Sequence, residues 1–364
     1  MMLRPAHRLA CAMVALLPSL TAAGCAAVGP QRLDMDQMGY AAALGDGLKR
    51  QMLLNMVRLR YADVPAFVSA TQLISGYTLQ STGQLGLNAY PNANPGNYAT
   101  VSGTVQYSTR PTFTFTPVTG ERFAQSYLRP LAPAELLSLA QSGAPIDLLF
   151  RIGVQSVNGL PNAATRIGDA QGPSDGFQAL MGALREVQAA GAVGLRFERQ
   201  PANGRVHLLL DGDDPRAKDA ALEVRRLLGV GPAATELEVV YGRGRREPGQ
   251  VAVLTRSVLQ ILYELGSQVE VPEADLHRGE AQADRAGAAA DGSPPPTATR
   301  LVHVRQGRSA PSDAYAAVSY RGRWFWIEAG DYRSKAAFAF VHILQTLAES
   351  NHGQPTPVVT IPAQ

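Results

Sequence analysis

The sequence predicts an α+β protein, and three observations carry that expectation. Apolar residues recur at three- and four-residue steps over residues 35–60, then at every second position over residues 77–117. Between residues 147 and 241, strand-like and helix-like segments follow one another in the order β-α-β-β-α-β. From residue 301, strand-like runs precede a single helix-like run.

The chain starts MMLRPAHRLACAMVALLPSLTAAGC. Arg4, His7 and Arg8 form a positive front, residues 9–20 an apolar middle, and Thr21, Ala22, Ala23 and Gly24 a small-residue approach to Cys25. This is the pattern of a secretory signal cleaved after Gly24. The apolar run is about 12 residues, against about 20 for a spanning helix. With a cysteine just past the cleavage point, residues 1–25 resemble the lipobox signal of bacterial lipoproteins. Ala22 stands where that signal usually has leucine. The resemblance implies acylation of Cys25, a tether over 25–34, and membrane attachment by more than one acyl chain. Ala26 and Ala27, with no aspartate following the cysteine, imply delivery to the outer membrane, facing the periplasm.

Processing would leave 340 residues, enough for two compact domains. Cys11 would be discarded and Cys25 acylated, leaving no free thiol and no disulfide. Loss of Arg4 and Arg8 lowers the net charge from +3 to +1, which is not the balance of a nucleic-acid-binding protein. Arginine greatly outnumbers lysine, which occurs only at 49, 218 and 335. That excess reads as composition rather than function.

Residues 35–60 predict an amphipathic helix with Asp34 as N-cap; Met38, Leu48, Met52, Leu53, Met56 and Leu59 form its stripe. The pattern then changes. Tyr77, Leu79, Leu85 and Leu87 alternate with Thr78, Gln80, Gln84 and Asn88. After the turn-rich stretch 91–97, Val101, Val105, Tyr107, Phe113 and Phe115 alternate with Ser102, Thr104, Gln106 and Thr114. Strict alternation predicts a hairpin with one apolar face. Its arms match the about 9–11 residues of a membrane-spanning strand, and Tyr77, Tyr90, Tyr98 and Tyr107 lie near the arm ends, where girdles fall. One hairpin cannot satisfy its own edges in lipid, so a spanning role requires several subunits in a closed barrel. Such an assembly would resemble the oligomeric lipoprotein pores that export curli subunits. The other reading is a soluble ribbon lying on the protein or on a partner. Ser81 and Gly83 dilute the apolar face in its favour.

A middle domain, 120–272, follows. Helices are predicted at 121–128, at 133–142 with Pro133 in the first turn, and at 174–190 between Ser174 and Gly191. Residues 147–156 fit strand or helix, and alternation favours a strand. Strands at 193–199 and 205–210, a helix at 214–228 ending at Gly229, and a strand at 237–241 complete a ferredoxin-like order, which by itself implies no activity. Residues 251–265 predict one more helix. The stretch 273–300 is rich in Ala, Gly, Asp and Pro and reads as a disordered insert. A ββα module spans 301–350, with a tight Arg321-Gly322 turn and Asp331 or Ser334 as helix cap, and 351–364 form a tail. Its run YRGRWFWIEAGDYRSKAAFAF is similar to uncharacterised bacterial envelope proteins, a resemblance with no activity attached.

Candidate chemistry is sparse. The remaining histidines, His207, His277, His303, His342 and His352, form no i, i+4 pair and no HExxH, so no metal site is expected. The cluster Asp211-Gly-Asp-Asp214 lacks the later oxygens of a calcium loop. The partner-binding candidates are Trp324 and Trp326, spaced to share one side of a strand, and Arg243, Arg245 and Arg246 in a basic loop. No cofactor is expected. These features predict a non-enzymatic, periplasm-facing envelope lipoprotein acting as scaffold or binding subunit. The alternatives are an oligomeric outer-membrane pore or secretion-assembly subunit built on 77–117, and a periplasmic hydrolase with an unrecognised site.

Overall fold

A computed structural model describes residues 30–88, 98–166, 169–198, 205–211, 214–244, 247–282 and 300–350. The signal, Gly24, Cys25, the hairpin tip, Arg245, Arg246 and the tail lie outside the described residues. The chain divides into two compact units, residues 66–124 and the body made from the segments on either side. Both mix helices and strands into an α/β architecture.

The body begins with α1 (Pro30–Arg60), four residues ahead of Asp34, because Pro30 suits a first helical turn. The tether over 25–34 therefore ends in helix. Of α1, Met52, Leu53, Met56, Val57 and Leu59 are buried, whereas Met38 is 68% exposed. The second unit holds β1 (Val68–Asn88), β2 (Tyr98–Pro117) and a short α2 (Gly120–Phe123). A π-helical turn, Ala124–Leu128, leads back to the body.

There, α3 (Pro133–Gln141) and α4 (Ile146–Gly153) precede β3 (Val154–Val157). The expected strand at 147–156 is thus mostly helix. Leu148, Phe150, Ile152 and Val154 do alternate, but Ile146, Leu149, Phe150 and Gly153 form the helical stripe that is buried. Short strands β4 (Leu160–Pro161), β5 (Ala164–Arg166) and β6 (Asp169–Gln171) lead to α5 (Asp175–Ala189), which Ser174 caps by accepting a hydrogen bond from the Phe177 N–H at 3.2 Å. Then come β7 (Val193–Glu198), β8 (Arg205–Leu210), α6 (Lys218–Leu228) and β9 (Glu236–Tyr241). Gly229 ends α6 with φ +63, as its sequence position predicts.

The expected helix at 251–265 is two elements, β10 (Gln250–Thr255) and α7 (Val258–Gly266). Val251, Ala252 and Val253 are all buried, so β10 lacks the alternation that marks a half-exposed strand. Ser257 and Gln260 then form a capping box that starts α7. The body's main sheet has the order β4-β3-β10-β9-β8-β7, with β9 and β10 parallel. A ferredoxin-like unit would place β3 between β8 and β9. Here the inserted β10 takes the free edge of β9 and holds β3 beyond it.

After α7, α8 (Glu273–His277) belongs to the fold rather than to a disordered insert. Tyr61 Oη donates to Asp275 Oδ2 at 2.7 Å, and the Gln282 N–H donates to Arg60 O at 3.1 Å. The C-terminal module contains β11 (Arg305–Gly307), β12 (Ala316–Tyr320), β13 (Arg323–Ile327) and α9 (Tyr332–Ser350), with sheet order β11-β13-β12. Arg321 and Gly322 have φ +49 and +75 in the predicted tight turn.

Buried arginines tie these elements together. Arg256, 3% exposed, donates through Nη1 to the carbonyls of Arg151 at 2.9 Å and Ile152 at 2.8 Å, and through Nη2 to that of Ala163. The buried Glu264 carboxylate lies 3.9 Å away. Asn162 Nδ2 donates to Phe150, Arg151 and Val154 carbonyls, so the C-terminus of α4 is satisfied from two sides. Gly266 admits α1 to α7, since a Cβ there would stand 2.8 Å from Met56 O. Removing one partner of a buried charge pair leaves the other uncompensated. Arg256→Ala is therefore expected to lower unfolding free energy by about 3–5 kcal/mol in urea titrations; a loss under about 1 kcal/mol would contradict this clamp.

Candidate functional site

The second unit is a ribbon. β1 and β2 pair antiparallel from Val68↔Pro117 to Asn88↔Tyr98, and among the described residues neither pairs with any other strand. At about 3.3 Å per residue, some 20 rungs make a ribbon of about 65 Å. The strand begins at Val68, nine residues before the alternation that marks it in sequence. The register shift between Ala70 and Gln72 hides the residues before it, and Ile74 at an even position with Ser75 at an odd one hides the rest. A bulge inserts one residue and reverses parity, so the apolar positions change from even to odd along β1.

Beyond the bulge the register sorts the two faces. Leu73↔Phe113, Leu79↔Tyr107, Leu85↔Val101 and Leu87↔Ala99 fall on the odd face. Thr78↔Ser108, Gln80↔Gln106, Thr82↔Thr104 and Gln84↔Ser102 fall on the even face. Gln80, Thr82, Gln84, Ser102, Thr104 and Gln106 are all exposed. Gly83↔Gly103 and Ser81↔Val105 are the weak rungs of the apolar face. Where the chain enters and leaves the ribbon, the Val118 N–H donates to Phe67 O at 2.9 Å, and the Phe67 and Phe123 ring centroids lie 5.8 Å apart. From Val68 to Pro117 the chain carries one charged residue, Arg110, opposite Gly76.

This composition bears on the edges. Soluble proteins protect exposed edge strands with lysine, other charges, or short length. Here two edges of about 20 residues have almost no such protection, and an isolated two-stranded ribbon is marginal in water. From Tyr77 to Leu87, about 11 residues tilted by about 45° rise about 25 Å, the height of the apolar band in outer-membrane barrels. Among the described residues, no sheet closes into a barrel within one chain.

The other sequence candidates belong to the body. On β13, Phe325 and Ile327 are fully buried, whereas Trp324 is 39% exposed. Trp324 and Trp326 occupy the opposite face, where Trp326 covers Gly307; a Cβ there would stand 3.0 Å from its ring. The Trp326 Nε1 is buried without a hydrogen-bond partner. Arg243 is exposed in the loop that joins the parallel pair β9 and β10.

Several groups have the makings of catalysis but not its geometry. The pentapeptide at 172–176 has G-x-S-x-G spacing, a signal that sequence reasoning passed over. Ser174 nevertheless has φ −65 and ψ 154, and its Oγ donates to Pro161 O at 3.1 Å as it caps α5, so it is not the strained elbow of a nucleophile. Ser334, Asp331 and His303 also meet. Ser334 Oγ donates to Asp331 and accepts the His303 backbone N–H at 2.8 Å, while the His303 ring turns to Glu270, at 2.6 Å. The hydroxyl is buried and lacks the imidazole base of a triad. A groove of about 260 Å³ between α4 and α5 is lined by Asp147, Arg151, Phe177, Met181 and Arg185, without histidine, serine or cysteine. Among the described residues, no three His, Cys, Asp or Glu side chains cluster to hold a metal, and no helix is long and apolar enough to cross a membrane. No family model matches the chain, and no curated protein or solved structure is significantly similar to it.

Asp331 caps α9, accepting the Ser334 N–H at 3.0 Å. Burial pushes its carboxyl pKa up, but the hydrogen bonds from Ser334 outweigh that and hold it below 3.8. Its stabilising contribution is therefore complete above the unfolded-state value and disappears as pH falls through the lower, folded one. Asp331→Ala is expected to cost about 1 kcal/mol at neutral pH. The gap from the wild type should narrow in urea titrations below pH 3.8, whereas a gap that persists unchanged into strong acid would contradict the cap.

Proposed function

We propose that this chain is a non-enzymatic, lipid-anchored subunit of an oligomeric β-assembly at the outer membrane. Ribbons from several copies pair edge to edge and close a barrel, with the odd face toward lipid and the even face toward the lumen. The observation that carries this reading is the ribbon's register, which keeps uncharged polar residues opposite one another along the even face from Thr78 to Gln84. Closure gives the outer edges the hydrogen-bond partners that lipid does not supply. The lipobox resemblance at Cys25 supplies the location, and the aromatic residues at the ends of the apolar band fit a membrane interface.

A second reading keeps the ribbon in water, laid on an envelope protein partner for which this chain is the scaffold or binding subunit. The Gly83↔Gly103 rung favours it, because glycine adds nothing to an apolar band. The mass of the detergent-extracted protein separates the two. The barrel reading expects a stable homo-oligomer, and Leu79→Asp with Leu85→Asp should yield folded, unassembled subunits. A wild-type monomer, or a one-to-one complex with another protein, would overturn it.

A further inference from the structure

We propose that Arg110 sets the charge preference of this channel and makes it a passage for anionic solutes, an inference that rests on the barrel reading above. Arg110 is the one charged residue from Val68 to Pro117. It occupies an even position, in register with Gly76 and on the same face as Ser108, Gln106 and Thr104. That face becomes the lumen when the odd face meets lipid. Every subunit then contributes one guanidinium at the same height, and Gly76 places no side chain opposite it.

The neighbouring residue fixes where that ring lies. Pro111 has no backbone N–H, and a proline enters a ladder only where its missing donor faces the outer edge. No proline interrupts the outer-edge donors of β2 from Tyr98 to Arg110, and Pro111 is the first position that lacks one. About 13 residues at about 3.3 Å, tilted by about 40°, rise roughly 33 Å, close to the thickness of a bilayer core. Arg110 therefore closes the paired stretch, at the mouth on the side where the chain enters and leaves the ribbon. Hydroxyls and amides along the rest of the lumen discriminate weakly between ions of opposite sign. A ring of arginines does discriminate, since guanidinium stays protonated and rings of arginine or lysine select for anions.

The test is conductance of the detergent-extracted oligomer in planar bilayers under a potassium chloride gradient. Wild-type channels are expected to pass chloride several-fold better than potassium. In Arg110→Gln that ratio should fall to near unity, and in Arg110→Glu it should invert, with oligomer mass unchanged. Channels whose reversal potential favours potassium, or does not move in Arg110→Gln, would overturn the assignment to Arg110 while leaving the barrel in place. An oligomer that conducts in no variant would overturn the barrel reading and this inference together.

Discussion

A β-strand in a two-stranded ribbon has one edge paired and one edge open, and residues 66–124 are shaped by that constraint. Over about 20 rungs the open edges present a long series of backbone donors and acceptors. Water can satisfy them, but an edge left in water invites pairing unless charges discourage it. The ribbon has one charge in its length, so its sequence is not written to prevent pairing. Its two faces also differ in kind, one aliphatic and aromatic, the other hydroxyl and amide. A barrel wall resolves both features at once, since neighbours satisfy the edges while lipid and lumen take the faces. The regular register runs from Gln72↔Thr114 to Asn88↔Tyr98, and the bulge after Ala70 bounds it at one end.

The body solves a different problem, that of satisfying carbonyls inside a mixed core. Arg60 donates to Ser267 O at 3.0 Å, Arg225 to Ala234 O at 2.7 Å and Leu210 O at 3.1 Å, and Arg256 to three carbonyls around the end of α4. Arginine suits this work because its planar fork offers several donors in fixed directions and its stem packs among apolar side chains. An arginine excess that composition alone leaves unassigned is in part structural. The body also carries the exposed Trp324 and the loop of Arg243.

How much of this was legible in the sequence follows from which residues are buried on how many sides. The stripe of α1 from Met52 to Leu59, the cap and stop of α5 and the αL stop of α6 were plain, because each is a local signal from a half-exposed helix or its end. The alternation of β1 and β2 was plain for the same reason. What was hidden lies where periodicity fails. Buried on both faces, β10 merged with α7, and α4 passed for a strand. Parity reversal at the bulge concealed the start of β1, and Ile74 and Ser75 broke the alternation just after it. The strand order could not be read at all, since a sequence does not say which edge an unrecognised strand will take. Of the site candidates, the hairpin was visible in outline, and so was the single charge at Arg110, while its pairing with Gly76 needed the register.

The central claim is that the even and odd faces of the ribbon meet different solvents. It is tested most directly by single cysteines at successive positions of β2, from Val101 to Gln106, in membranes treated with a water-soluble maleimide. With Cys11 removed and Cys25 acylated, as the lipobox resemblance implies, no other thiol would compete. The account expects labelling at Ser102, Thr104 and Gln106 and protection at Val101, Gly103 and Val105. Equal labelling at all six positions would contradict it.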